Sequence, residues 1–258
     1  MSKYIENFMK YRPLLMELTM RDIKTRYRKS VMGVLWSLLN PLCQMVVLSI
    51  VFSNLFKMDI ENFPLYILSG QVIFNFFSES TSSAMSSVIG NASLIKKAYI
   101  PKYLFAISRV MSSAVNVFAS FAALIVVMLV TRADFHYTIV LAIIPIILVV
   151  LFSCGIGLIL ASFAVKFRDI IHLYGVFITA LLYMTPIIYP ISMLPDMVRK
   201  IVMLNPLTNM VLMFRDLALN GIIPSAMSMI IALIECAIVI IIGLYVFYKR
   251  QDTFILDL

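Results

Sequence analysis

Charge is scarce in this chain. Only 13% of its 258 residues are Asp, Glu, Lys or Arg, 62% are hydrophobic, and the mean hydropathy is +1.00. A soluble domain carries about 25% charged residues, so an ordinary water-facing surface is excluded. Cysteine is sparse too. Cys43, Cys154 and Cys236 each stand alone in an apolar run. With no CxxC spacing and no neighbouring His, they read as packing thiols rather than as a disulfide framework or metal ligands. The two histidines, His136 and His172, are read as surface or capping residues, and no metal site is expected. No GxxxxGK[ST] loop, GxSxG turn or HExxH pair occurs. Phosphate-loop ATP hydrolysis, serine hydrolysis and zincin chemistry are therefore not expected of this chain.

What is abundant is long uncharged sequence. A bilayer core takes about 20 consecutive apolar residues as helix, and six stretches qualify: 31–56, 64–89, 104–130, 139–165, 170–188 and 225–248. The second is the weakest, because "SESTSSAMSS" makes its later half polar. The opening "MSKYIENFMKYRP" is polar and charged, so no cleavable signal peptide is expected. Sixteen of the 21 Lys and Arg residues fall in segments 1–30, 91–109, 166–169 and 249–258. With six spans these lie on one side, which the positive-inside bias makes the cytoplasm, with both termini. The net charge of +8 is thus a matter of topology, and no nucleic-acid partner is expected.

The densest basic cluster, in "RDIKTRYRKS", abuts the first span. Met16, Met20, Ile23 and Tyr27 fall on one helical stripe beside a second stripe of Arg21, Lys24 and Arg28. That spacing predicts an amphipathic helix on the cytoplasmic membrane surface; the alternative is a disordered basic leader. Between Tyr189 and Pro224 the chain is too apolar for a loop and too interrupted to span. Pro190, Pro195, Pro206 and Pro224 cut it into short helical pieces at 196–204 and 207–219. These either dip into the membrane from the outer face, lining a cavity, or rest on the outer leaflet as an interfacial hairpin.

Two carboxylates, Glu79 and Glu235, lie inside spans, where an ionisable group is a functional candidate by default. Glu79 sits among Ser and Thr, so a hydrated or helix-packed surrounding is expected. Glu235 has no basic partner in its span, which predicts a protonated group or a bond to another helix. Ser153, Gly157 and Ala161 recur every four residues, and Ser112, Asn116, Ser120 and Ala123 follow at steps of four, four and three. Both stripes are read as packing faces.

Six stretches, in order, resemble the ABC-2 type permeases of bacterial polysaccharide exporters. They are "RDIKTRYRKSVMGVLWSLLNPL" (21–42), "YILSGQVIFNFFS" (66–78), "NASLIKKAYIPKYLFAISR" (91–109), "FRDI" (167–170), "YMTPIIYPISMLP" (183–195) and "LNPLTNMVLMFRD" (204–216). The resemblance implies an all-α integral membrane fold in the bacterial cytoplasmic membrane. Its parts are an interface segment at 1–30, a six-helix domain at 31–250 with outer re-entrant helices, and a tail at 251–258. It implies a permease that exports lipid-linked polysaccharide of O-antigen or teichoic-acid type, as a homodimer with two copies of a separate ATPase that holds the ATP and magnesium. This chain itself would bind no cofactor and catalyse nothing.

Matched residues imply ATPase coupling at Leu94, Ile95, Lys96, Lys97 and Tyr99, and at Lys166, Phe167, Arg168 and Asp169. Phe74, Phe76, Phe77, Tyr183 and Tyr189 become candidates for an aromatic channel lining. Arg21, Lys24 and Arg28 become candidates for meeting membrane lipid and a polyprenyl pyrophosphate at the cytoplasmic mouth. A drug or small-lipid exporter on the same fold is the nearest alternative. An integral-membrane polyprenyl-phosphate transferase is the alternative from another class.

Overall fold

In hydrocarbon a helix satisfies its backbone polar groups within one segment, and the long apolar runs of this chain become helices. The computed structural model describes residues 2–28, 33–56, 60, 62–97 and 100–254. In order, the elements are α1 (Ser2–Tyr27), α2 (Gly33–Phe56), α3 (Phe63–Met85), α4 (Ser87–Gly90), α5 (Ala92–Lys97) and α6 (Tyr103–Thr131). Then come α7 (Ile143–Ala164), α8 (Ile170–Met184), α9 (Asp196–Met203), α10 (Pro206–Arg215) and α11 (Ala226–Arg250). A 3-10 turn (Tyr137–Ala142) leads into α7, and a π turn (Asp216–Asn220) closes α10. No strand occurs among the described residues.

α3 forms the centre, packed against α2, α6, α7 and α10, while α11 lies along α7. Among the described residues, four helical stretches are long and apolar enough to cross a membrane: Leu35–Phe52, Tyr103–Thr131, Tyr137–Ala164 and Ala226–Arg250. Two of the six expected spans, those of α3 and α8, fall outside this set. α3 has the length, at 23 residues, but carries the Ser- and Glu-containing half. α8 has only 15 residues. It stops before the expected 188 because Thr185 precedes Pro186 and is extended, at φ −107° and ψ 132°. The expected 64–89 helix ends at Met85, with a turn at Ser86 before α4.

The small-residue stripe of α7 does pack: Ser153 and Ala161 are fully buried, and a Cβ on Gly157 would stand 2.7 Å from Ala84 of α3. The tighter crossing, with α11, uses a glycine that stripe left out. A Cβ on Gly243 would meet the Gly155 carbonyl oxygen at 2.5 Å, and one on Gly155 would meet the Val239 backbone at 2.7 Å. Gly243→Ala must therefore push two backbones apart, and it is expected to destabilise the protein by about 2 kcal/mol or more. Gly175→Ala in α8, where nothing lies within 4 Å, is the control and is expected to be neutral. Thermal unfolding of the purified variants checks this; a Gly243→Ala protein as stable as the control would refute it.

α1 is amphipathic on two sides rather than one. Leu18 and Asp22 are buried, and Tyr11, Leu14 and Leu15 pack on the same core, facing α6. On the opposite side Met9, Met16 and Met20 remain exposed, so this part of the stripe seen in the sequence is unpartnered, whereas Tyr27 at its end meets Asn116 of α6. At the other terminus, residues 251–254 are not a free tail. Phe254 is buried with its ring 5.3 Å from that of Phe247, and Lys102 donates to the Gln251 carbonyl. The expected boundary at 30/31 falls outside the described residues, as do 255–258.

Candidate functional site

The last turn of α1 brings Arg26 and Tyr27 to the middle of α3 and α6. Asn116 donates to both carboxylate oxygens of Glu79, at 2.7 and 2.8 Å. Arg26 forms an ion pair with the same carboxylate, and the Tyr27 hydroxyl donates to the Asn116 side-chain oxygen. Glu79 is thus held in an amide and guanidinium cradle, yet its side chain keeps 39% exposure. The exposure is to a groove of about 400 Å³, also bordered by Trp36, Asn40, Asn75 and Phe76. Beside it, Asn75 donates to Gln44 at 3.4 Å and Gln44 to Asn40 at 3.5 Å. Sequence reading singled out Glu79 but counted Arg26 as topology and Asn116 as packing. An amide at the centre of an apolar span was the available signal for Asn116.

A second polar knot ties α1 to the N-terminal end of α6. Asp22, with its side chain 4% exposed, accepts from Arg21 at 2.9 Å and lies 3.4 Å from Arg109. Arg21 also donates to the Asn91 side chain at 3.0 Å. Of the three residues assigned to lipid headgroups, Arg21 is therefore engaged within the protein, whereas Lys24 and Arg28 are exposed. Sequence reading passed over Asp22, a lone acid inside a basic run.

The two expected coupling elements are α5 and the turn after α7. In α5, Ile95 is buried and Leu94 packs on the core, which leaves Lys96 and Lys97 exposed. Tyr99 lies outside the described residues. In the turn after α7, Lys166, Phe167, Arg168 and Asp169 are all exposed. No ion pair involves Arg168 or Asp169 among the described residues. Lys102, next to α5, has its ammonium pushed below the ordinary lysine range by burial, an effect opposed by the nearby Asp252 carboxylate.

On the far side of α3 lies a buried cation, one of the five Lys and Arg residues outside the four basic segments. The Asn205 side chain caps α10 by accepting from the Leu207 N–H at 3.1 Å, and Pro206 fills the first turn. The helix then enters the core and delivers Arg215, which is 3% exposed. Its guanidinium donates to Ser69 Oγ (3.2 Å) and to the carbonyls of Pro186 (2.6 Å), Ile187 (3.1 Å) and Tyr66 (3.0 Å). It also stacks 3.6 Å from the Tyr66 ring centroid. Pro186 and Ile187 are where α8 breaks, so Arg215 supplies donors that a continuing helix would have supplied. The Tyr66 hydroxyl donates to the Tyr189 carbonyl at 2.9 Å, and the Tyr189 hydroxyl to the Tyr183 carbonyl at 2.7 Å. Asn205 also donates to Thr185 at 3.0 Å, fastening the same break from the other side.

The five aromatics proposed as a lining separate here. Phe74, Phe76 and Phe77 are each 3% exposed. Phe77 packs 5.8 Å from Phe152 of α7, and only Phe76 of the three borders the groove. Within this chain Phe74 and Phe77 are core, because α3 is enclosed by its neighbours. Tyr183 is exposed and Tyr189 half-buried. On α11 one oxygen of Glu235 is buried with no hydrogen-bond partner, so of the two alternatives, a protonated group or a bond to another helix, this oxygen does not make the bond. The three cysteines are free, and Cys236 donates to the Leu148 carbonyl of α7. No three His, Cys, Asp or Glu side chains converge as a metal site among the described residues.

Residues 13–219 match the ABC-2 type transporter family. Over 245 residues, 93% of each chain, this protein is 31% identical to the O-antigen export system permease protein RfbA of Klebsiella pneumoniae. It is 25% identical over 256 residues, 98% of each chain, to the protein of the same name from Myxococcus xanthus. To the polysialic acid transport protein KpsM of Escherichia coli it is 23% identical over 238 residues, 91% of this chain and 92% of the relative. A family match over most of the helical bundle, with end-to-end similarity to relatives of nearly equal length, makes this chain a member of the ABC-2 type transporter family.

Proposed function

We propose that this chain is the membrane permease of an ATP-driven exporter of lipid-linked polysaccharide, of the O-antigen or teichoic-acid type. The observation that carries the reading is end-to-end similarity to an O-antigen export permease. The helical bundle, with its exposed basic cytoplasmic elements, is consistent with it. Six crossings are formed by α2, α3, α6, the 137–164 helix, α8 and α11. α9 and α10 re-enter from the outer face; the burial of Leu207, Met210, Val211 and Phe214 within the bundle supports this over an interfacial hairpin. Two copies pair in the cytoplasmic membrane with both termini inside. Two ATPase subunits bind ATP and magnesium and dock on α5 and the 166–169 turn.

Deleting the gene from its bacterium is expected to trap the lipid-linked polymer inside the cell, and re-expression of the chain with its ATPase to restore the polymer at the surface. Unchanged surface polymer in the deletion strain would overturn the proposal. The topology has its own check. A single Cys at the exposed Ser93 is expected to resist a membrane-impermeant thiol reagent in intact cells and to react in broken ones. The purified chain alone is expected to show no ATPase activity.

A further inference from the structure

We infer that the groove between α1, α2, α3 and α6 is a carbohydrate subsite, with Trp36 as its stacking platform and Asn40, Asn75 and Glu79 as its hydrogen-bonding rim. The inference rests on the export reading above and adds to it where in the permease a sugar is held. Trp36 is the only tryptophan of the chain and is 62% exposed. A tryptophan near a span end often serves only as an interfacial anchor, but this one borders the same groove as Asn40, Asn75 and Glu79. Asn40 is exposed, Asn75 half-buried and Glu79 39% exposed. Amides and a carboxylate turned outward from helices that also face hydrocarbon are unfavourable unless something polar lies against them.

Charge decides what that is. Arg26 would suit a phosphate, but it is already paired with Glu79, and an incoming phosphate would have to face that carboxylate. What remains is a near-neutral rim of groups that pair with hydroxyls. Asn side chains both donate and accept, and a carboxylate accepts twice. A pyranose has the complementary form, an apolar C–H face for the indole and hydroxyls at its edge. The volume, about 400 Å³, lies within the roughly 300–1,000 Å³ of small-ligand sites.

Because Trp36 is the sole tryptophan, its emission reports on the groove directly. The full-length protein in lipid nanodiscs would be titrated with the surface polysaccharide of the same bacterium, freed of its lipid by mild acid, and separately with inorganic pyrophosphate. The expected result is a saturable shift of emission with polysaccharide and none with pyrophosphate. Asn40→Leu and Asn75→Leu, at the rim and away from the Arg26–Glu79 pair, are expected to raise the half-saturating concentration at least tenfold without changing thermal stability. In cells, Trp36→Leu is expected to reduce export severalfold and Trp36→Phe, which keeps an aromatic face, to reduce it less.

A shift with pyrophosphate alone would make the groove a headgroup site and overturn the inference. A shift that follows protein concentration instead of added sugar would make it a contact between two copies, which overturns it equally. No shift with either probe also overturns it. If polymer export in cells depends on the gene while Trp36 ignores the polysaccharide, the subsite fails and the export reading stands. If export never depended on the gene, the export reading itself fails.

Discussion

Arg215→Met is expected to destabilise the protein by about 4 kcal/mol, since two buried carbonyls would each lose their donor at about 1–3 kcal/mol apiece. The carbonyls at stake are those of Pro186 and Ile187, which accept from Arg215 at 2.6 and 3.1 Å. They lie at the end of α8, where the chain is not helical. Tyr66 and Ser69 would suffer less, because the Ser69 hydroxyl also donates to the Tyr66 carbonyl at 2.8 Å. The opposing effect is relief of a buried cation's desolvation, which often makes exchange of a whole buried ion pair for apolar residues neutral. Here only the donor is exchanged and the backbone acceptors stay, so relief does not offset the loss. Thermal unfolding should begin on the order of 10 °C lower. Arg215→Lys retains charge but not the fork that reaches four acceptors, and it is expected to fall between. A methionine variant as stable as the parent would show that water reaches the break and that Arg215 pins nothing.

The same arginine shows where sequence reading runs out. The break itself was legible: prolines predicted helical pieces at 196–204 and 207–219, and the structure has α9 and α10 at nearly those bounds. What fills the break was not. Arg215 meets Ser69 and Tyr66 across 146 and 149 residues, and periodicity carries no information over such distances. Glu79 tells the same story. Its place in a span made it a candidate, but its partners Arg26 and Asn116 stand on two other helices, 53 and 37 residues away. α1 is a third case. Its Met16 and Met20 stripe is real but unpartnered, and the packing face through Leu14, Leu15 and Leu18 was hidden by charged residues interleaved with it. Long apolar helices are local properties of a sequence. Polar knots between helices arise only when the helices have packed.

The turn at Lys166–Asp169 is expected to pass ATPase motion to α8, so Arg168→Ala with Asp169→Ala should uncouple hydrolysis from export. The chain has no slack there. The Phe167 N–H donates to the Phe163 carbonyl at 2.9 Å and the Leu173 N–H to the Asp169 carbonyl at 3.1 Å, so helical bonding runs up to the turn from both sides. Displacement of the exposed turn must then move a helix end. α7 resists, being buried along much of its length, whereas Tyr174 is the only buried residue of α8. Its hydroxyl meets that of Thr81 on α3 at 2.6 Å, a polar fulcrum near the turn on a helix whose far end is held by Arg215 and Asn205. Exposed charges contribute about 1 kcal/mol or less to docking, so the complex is expected to assemble almost normally, helped by the half-exposed ring of Phe167. Polymer export is expected to fall about tenfold, within the range of a coupling free energy of 1–3 kcal/mol. ATP hydrolysis continues in the same preparation. Export at the parental rate in the double variant would make the turn a passive connector, and loss of assembly together with export would make it a docking surface only.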